Sequence, residues 1–114
     1  MRKISKLAAR AFIEGREFRR DNTEVVVCEV IHCKRKELRL HGNVIARQTS
    51  AARGYQPLKI TLAGWPTPTT RERLNTLLTE MGKREGVWQH NHEQYYGTLE
   101  GSRIISENEW ITVT

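Results

Sequence analysis

Apolar residues recur at Ile4, Leu7, Ala8, Ala11 and Phe12, the i, i+3, i+4, i+7, i+8 spacing that lays one stripe along a helix. Ser5 is a capping residue type and Gly15 a stop, so the spacing predicts a first helix over residues 5–14. Asp21-Asn22-Thr23 reads as a turn. The run 24–31 that follows it is β-branched and too apolar for an exposed strand. The charged patch Lys34-Arg35-Lys36-Glu37 interrupts it as a loop, and Leu38-Arg39-Leu40-His41 then alternates. Gly42-Asn43 supplies a two-residue hairpin turn, because both residues tolerate positive φ, and Val44-Ile45-Ala46-Arg47 returns. Leu58-Lys59-Ile60-Thr61-Leu62 alternates again, with Pro57 at its start, where a missing N–H is tolerated.

Two prolines exclude regular structure from residues 63–68. Thr69 and Glu72 form the pattern of a capping box ahead of the apolar face Leu74, Leu77, Leu78 and Met81, which Gly82 ends. A second helix is therefore expected over residues 69–81. Val87–His90 and Gln94–Gly97 read as strands around Asn91-His92-Glu93, and Glu109–Val113 as a final strand. The order of elements predicts an α+β fold: a mainly antiparallel sheet of five or six strands covered by two helices on one face. No internal repeat or linker divides the chain, and 114 residues suit one domain, so 1–114 is expected to be a single unit.

Charge adds a functional direction. Nineteen lysines and arginines against 13 acidic residues give a formal charge of +6, and a pI of this order points to polyanionic partners such as nucleic acid. The competing reading is solubility, for which such a charge is ordinary. Three basic clusters stand out: Arg16, Arg19 and Arg20 after the first helix, Lys34-Arg35-Lys36, and Arg71 with Arg73 on the second helix, with Lys83-Arg84 beyond it. Of these, the seven residues Arg19, Arg20, Lys34, Arg35, Lys36, Arg71 and Arg73 are the expected phosphate contacts, and aromatic residues such as Trp65, Trp88, Tyr95 and Tyr96 would stack on unpaired bases if exposed. No apolar run reaches the roughly 18 residues of a membrane span, and no signal-peptide core follows the basic N-terminal residues. A cytoplasmic protein that touches no membrane is expected.

Catalytic and metal-binding patterns are thin. Cys28 and Cys33 are five residues apart and read as free thiols in a reducing compartment. With His32, His90 and His92 they include the ligand types that zinc accepts, but the spacing is loose and Cys28 lies in an apolar strand, so no metal is expected. Nucleophile-elbow, metalloprotease and phosphate-loop patterns are missing, and His92 with Glu93 on one strand would point to opposite faces. Neither an enzymatic activity nor a cofactor is expected.

Ala8-Ala9-Arg10-Ala11-Phe12, Asn22-Thr23-Glu24-Val25, Leu40-His41-Gly42-Asn43-Val44-Ile45-Ala46 and the segment Gly64-Trp65-Pro66-Thr67-Pro68 through Leu74-Asn75 occur in that order. Together they resemble small accessory proteins of tailed bacteriophages over roughly residues 5–80. The resemblance implies a phage-infection context in the host cytoplasm and no cofactor. It also implies binding rather than catalysis, with nucleic acid or a host protein as partner. An inhibitor of a host or defence complex, of the anti-CRISPR or another anti-defence type, is the alternative to nucleic-acid binding. In that reading the rigid loop carrying Trp65 and Thr67 is the partner surface.

Overall fold

The computed structural model of the chain describes residues 2–51 and 54–113 and is α+β, with two helices and ten strands among those residues. In chain order these are α1 (Lys3–Glu14), β1 (Phe18–Arg20), β2 (Thr23–Val30), β3 (Cys33–Leu40), β4 (Asn43–Ala51), β5 (Gly54–Tyr55), β6 (Leu58–Ile60), α2 (Pro68–Glu80), β7 (Gly86–His90), β8 (Glu93–Thr98), β9 (Gly101–Ile105) and β10 (Ile111–Val113). A seven-stranded sheet has the order β1-β2-β3-β4-β6-β10, with β5 on β4, and a three-stranded sheet has the order β7-β8-β9. Every pairing is antiparallel. The ten strands exceed the five or six expected: seven coincide with segments that read as strands, and β1, β5 and β9 are too short or too polar to announce themselves by apolar alternation.

Four local expectations shift, each for a stated reason. Lys34–Glu37 is not a loop but the first half of β3, because Ile31 and His32 take the turn, His32 at φ 64. The next hairpin turns at His41-Gly42, with φ 52 and 80, and Asn43 opens β4. Ser5 does not cap α1, which begins at Lys3; its buried hydroxyl donates to Glu72 instead. The cap of α2 is Thr67, whose Oγ1 accepts from the Thr70 N–H at 3.2 Å, with Pro68 in the first turn where no N–H is needed. Glu72 is thereby released from the expected capping box and reaches across to α1. Replacing Thr67 by alanine is expected to cost about 1 kcal/mol, read as a lower urea midpoint at unchanged slope; an unchanged midpoint would refute this cap.

One face of the large sheet carries the core. Val25, Leu38, Ala46, Ile60, Ile111 and Val113 point to it, and Phe12 from α1 and Leu74, Leu77 and Leu78 from α2 close over them. Val87 and Ile105 join the same cluster and bind the small sheet to it. Asn75 fixes α2 to β7 by donating to the Val87 carbonyl at 2.9 Å and accepting the Val87 N–H at 2.8 Å.

The helices are tied together by charge as well as by packing. Arg73 is buried, and its Nη1 donates to Ser5 Oγ at 2.7 Å and to Glu72 Oε2 at 2.8 Å. Its Nε donates to Thr23 Oγ1 at 3.0 Å, so one guanidinium joins α1, α2 and β2. Both helices therefore sit on the same side, and neither covers the opposite face of the large sheet.

Candidate nucleic-acid interface

Side chains directly opposite on neighbouring strands share a face, so the register defines what the uncovered side presents. One row runs Arg19–Glu24–Arg39–Val44, the next Val26–Glu37–Arg47–Lys59–Thr112, and a third Cys28–Arg35–Thr49. Among the described residues in these rows the cations are Arg19, Arg35, Arg39, Arg47 and Lys59, and the carboxylates are Glu24 and Glu37. Glu37 is already occupied: Arg39 donates to its Oε1 through Nε at 3.1 Å and Nη2 at 2.6 Å. That hydrogen bond outweighs burial and raises the Arg39 pKa. No described carboxylate lies within ion-pair distance of Arg35, Arg47 or Lys59.

Arg47 and Lys59 stand directly opposite one another on β4 and β6. Like charges so placed destabilise a sheet. Arg35 is two positions along from the partner of this row, because it opposes Thr49 on β4. These cations edge a groove of ≈ 190 Å³ lined also by Thr49, Gln56 and Pro57. The guanidinium carbon of Arg47 lies 4.1 Å from the centre of the Trp110 ring, at the entry to β10.

The seven expected phosphate contacts separate in space. Arg19 and Arg35 are exposed on the open face. Arg20 and Lys34 are exposed too, but they alternate to the helix side of the sheet, where Lys34 lies 3.7 Å from Glu29. Lys36 is buried beneath α1: Nζ donates to the Ile13 carbonyl at 3.3 Å and sits 4.9 Å from the Phe12 ring and 4.1 Å from the Tyr55 ring. Desolvation there lowers its pKa. Arg71 bridges elements, donating through Nη1 to the Pro66 carbonyl at 2.8 Å, Gln94 at 3.1 Å and Gln89 at 3.2 Å. Arg73 is fully engaged inside. Lys36 and Arg73 thus face protein rather than solvent.

Arg47, Lys59 and Trp110 were not expected in a site. Their signal was a cation at the outward position of an alternating strand, as in Leu58-Lys59-Ile60, whereas consecutive basic residues mark runs that split across both faces.

The Kyanoviridae Gp96 protein family matches residues 1–114. The chain belongs to this family. No curated protein and no solved structure matches it. Membership of the Kyanoviridae Gp96 family makes the chain a cyanophage protein, in keeping with the tailed-phage resemblance of its segments and with an accessory role.

Elsewhere in this family member, Trp65 is 60% exposed at the mouth of a cavity of ≈ 410 Å³ whose lining includes Leu40, Ile45, Leu62, Thr67 and Thr70. Trp88 stacks on Tyr95 with ring centres 6.0 Å apart, on the small sheet. Cys28 and Cys33 are free thiols, and the described residues contain no group of three or more His, Cys, Asp or Glu side chains that could hold a metal. No described helix is long and apolar enough to cross a membrane.

Proposed function

We propose that the chain is a non-enzymatic phage accessory protein that binds nucleic acid across the open face of its large sheet. The observation that supports this most is the set Arg35, Arg47 and Lys59, none within ion-pair distance of a described carboxylate, with Arg47 directly opposite Lys59. Glu37, opposite Arg47 on β3, is engaged by Arg39 and balances the facing Arg47 and Lys59 only in part, whereas a polyphosphate neutralises them and releases its own counterions. Affinity of this kind carries little sequence preference.

Fluorescence anisotropy of labelled DNA and RNA between about 50 and 300 mM salt tests the reading, because phosphate contacts weaken across that range. The expected result is a log–log slope between about −2 and −3, near 0.9 per phosphate for three contacts. No binding at the lowest salt would overturn it.

A second reading, inhibition of a host or defence protein complex, is favoured by the exposure of Trp65 beside an apolar cavity. Exposed aromatics beside a pocket are typical anchors of a protein interface. In that case a Trp65→Ala variant loses the partner and the open-face cations are dispensable.

A further inference from the structure

Trp110 is the aromatic side chain that the open face holds against its cations. It precedes β10, remains 38% exposed, and is set in place by the Arg47 guanidinium 4.1 Å from its ring centre. The core does not use it: the neighbouring Ile111 and Val113 are buried in its stead. Arg47 also edges the groove it shares with Arg35 and Lys59, whose further lining by Gln48, Thr49, Gln56 and Pro57 includes no carboxylate. An indole held by one of the cations that edge this groove can stack on a base only where the base is unpaired, because a duplex hides its base faces. Neither helix lies on this side of the sheet to enter the major groove, the usual route of duplex readout by a helix.

We propose that this corner takes single-stranded nucleic acid, with phosphates on Arg35, Arg47 and Lys59 and one unpaired base stacked on Trp110. The inference rests on the nucleic-acid reading above and narrows it to one class of ligand. Charge complementarity sets the path of the strand, and the Arg47–Trp110 pair fixes one point along it. The sugar is left unselected, because no residue in the groove is committed to a 2′-hydroxyl, so deoxyribose and ribose strands are both ligands.

The test compares oligo(dT), oligo(U) and a mixed-sequence duplex of equal length against the wild-type chain, Trp110→Leu and Trp110→Phe. Wild type is expected to bind both single strands about tenfold more tightly than the duplex, the size of one base–aromatic stack. Trp110→Leu should lose that tenfold on the single strands, keep its duplex affinity, and keep its salt slope, because the phosphate contacts remain. Trp110→Phe should restore most of the loss, which a merely structural role for the indole would not predict for the single strands alone. Equal wild-type affinity for duplex and single strands overturns the inference while leaving the nucleic-acid reading in place. So does a Trp110→Leu variant that weakens all three ligands alike or none of them. Wild type that binds neither form at low salt overturns both. Binding of only one of oligo(dT) and oligo(U) overturns the inference that the strand is taken whatever its sugar.

Discussion

Glu72→Gln is expected to destabilise the fold by about 3 kcal/mol, the low end of the cost of stripping a buried charge of its partner. Arg73 has only 2% of its side chain exposed, and Glu72, at 27%, is its one counter-charge among the described residues. With the carboxylate gone, the guanidinium keeps hydroxyl acceptors on Ser5 and Thr23 but stays charged in a desolvated site. The Arg2 N–H, which donates to Glu72 Oε1 at 3.0 Å, loses a charged acceptor as well. Urea unfolding should show a lower midpoint at unchanged slope. A Glu72→Gln/Arg73→Met double variant should recover part of the loss, since an apolar replacement of a whole buried pair is often neutral.

The same network sets a dependence on acid. Desolvation acts to raise the Glu72 carboxyl, but hydrogen bonds from Ser5, the Arg2 N–H and Arg73 together outweigh it and hold the pKa below its ordinary value of 4.5. A carboxylate whose folded pKa lies below its unfolded value contributes stability that is complete above the unfolded value and is lost as pH falls through the folded one. The stability difference between wild type and Glu72→Gln should therefore be constant near neutrality and shrink as pH drops below about 4.5. A difference that grows toward acid would show that Glu72 is not the group that titrates.

Reversing Arg35, Arg47 and Lys59 to glutamate together is expected to weaken nucleic-acid binding by about a thousandfold, three charge-assisted contacts at about 1.5 kcal/mol each. The effect on the fold should have the opposite sign at one of these positions. Lys59→Glu alone turns a like-charge pair with Arg47 into an opposite-charge pair, and directly opposed side chains of that kind favour the sheet by about 0.2–1 kcal/mol. A single substitution that raises the melting temperature while lowering affinity and flattening the salt slope is the signature of a face kept for its ligand. Lowered stability with unchanged binding would contradict it.

The elements with an apolar signal of their own were legible. The stripe from Ile4 to Phe12 and the face from Leu74 to Met81 became α1 and α2, with Gly15 at φ 69 closing the first. What escaped depended on distant partners. Ser5 and Glu72 carry capping chemistry in sequence, but Arg73, buried between the helices, recruits both. Lys34–Glu37 has the charge of a loop, yet an antiparallel strand with one open face accepts a charge at every second position, and Lys36 on the other side is accommodated by the Phe12 and Tyr55 rings. The site was hidden for the same reason. Arg35, Arg47 and Lys59 are each isolated in sequence or split from their neighbours by alternation, and only the register of β3, β4 and β6 brings them together.

The measurement that bears most directly on the open face is backbone-amide NMR of the labelled chain, titrated with oligo(dT) at low salt. Shifts are expected at Arg35, Arg47, Lys59 and Trp110, fading as salt is raised, with Trp65, Thr67, Trp88 and Tyr95 unmoved. Shifts confined to the Trp65 cavity or to the small sheet, with the open face silent, would contradict it.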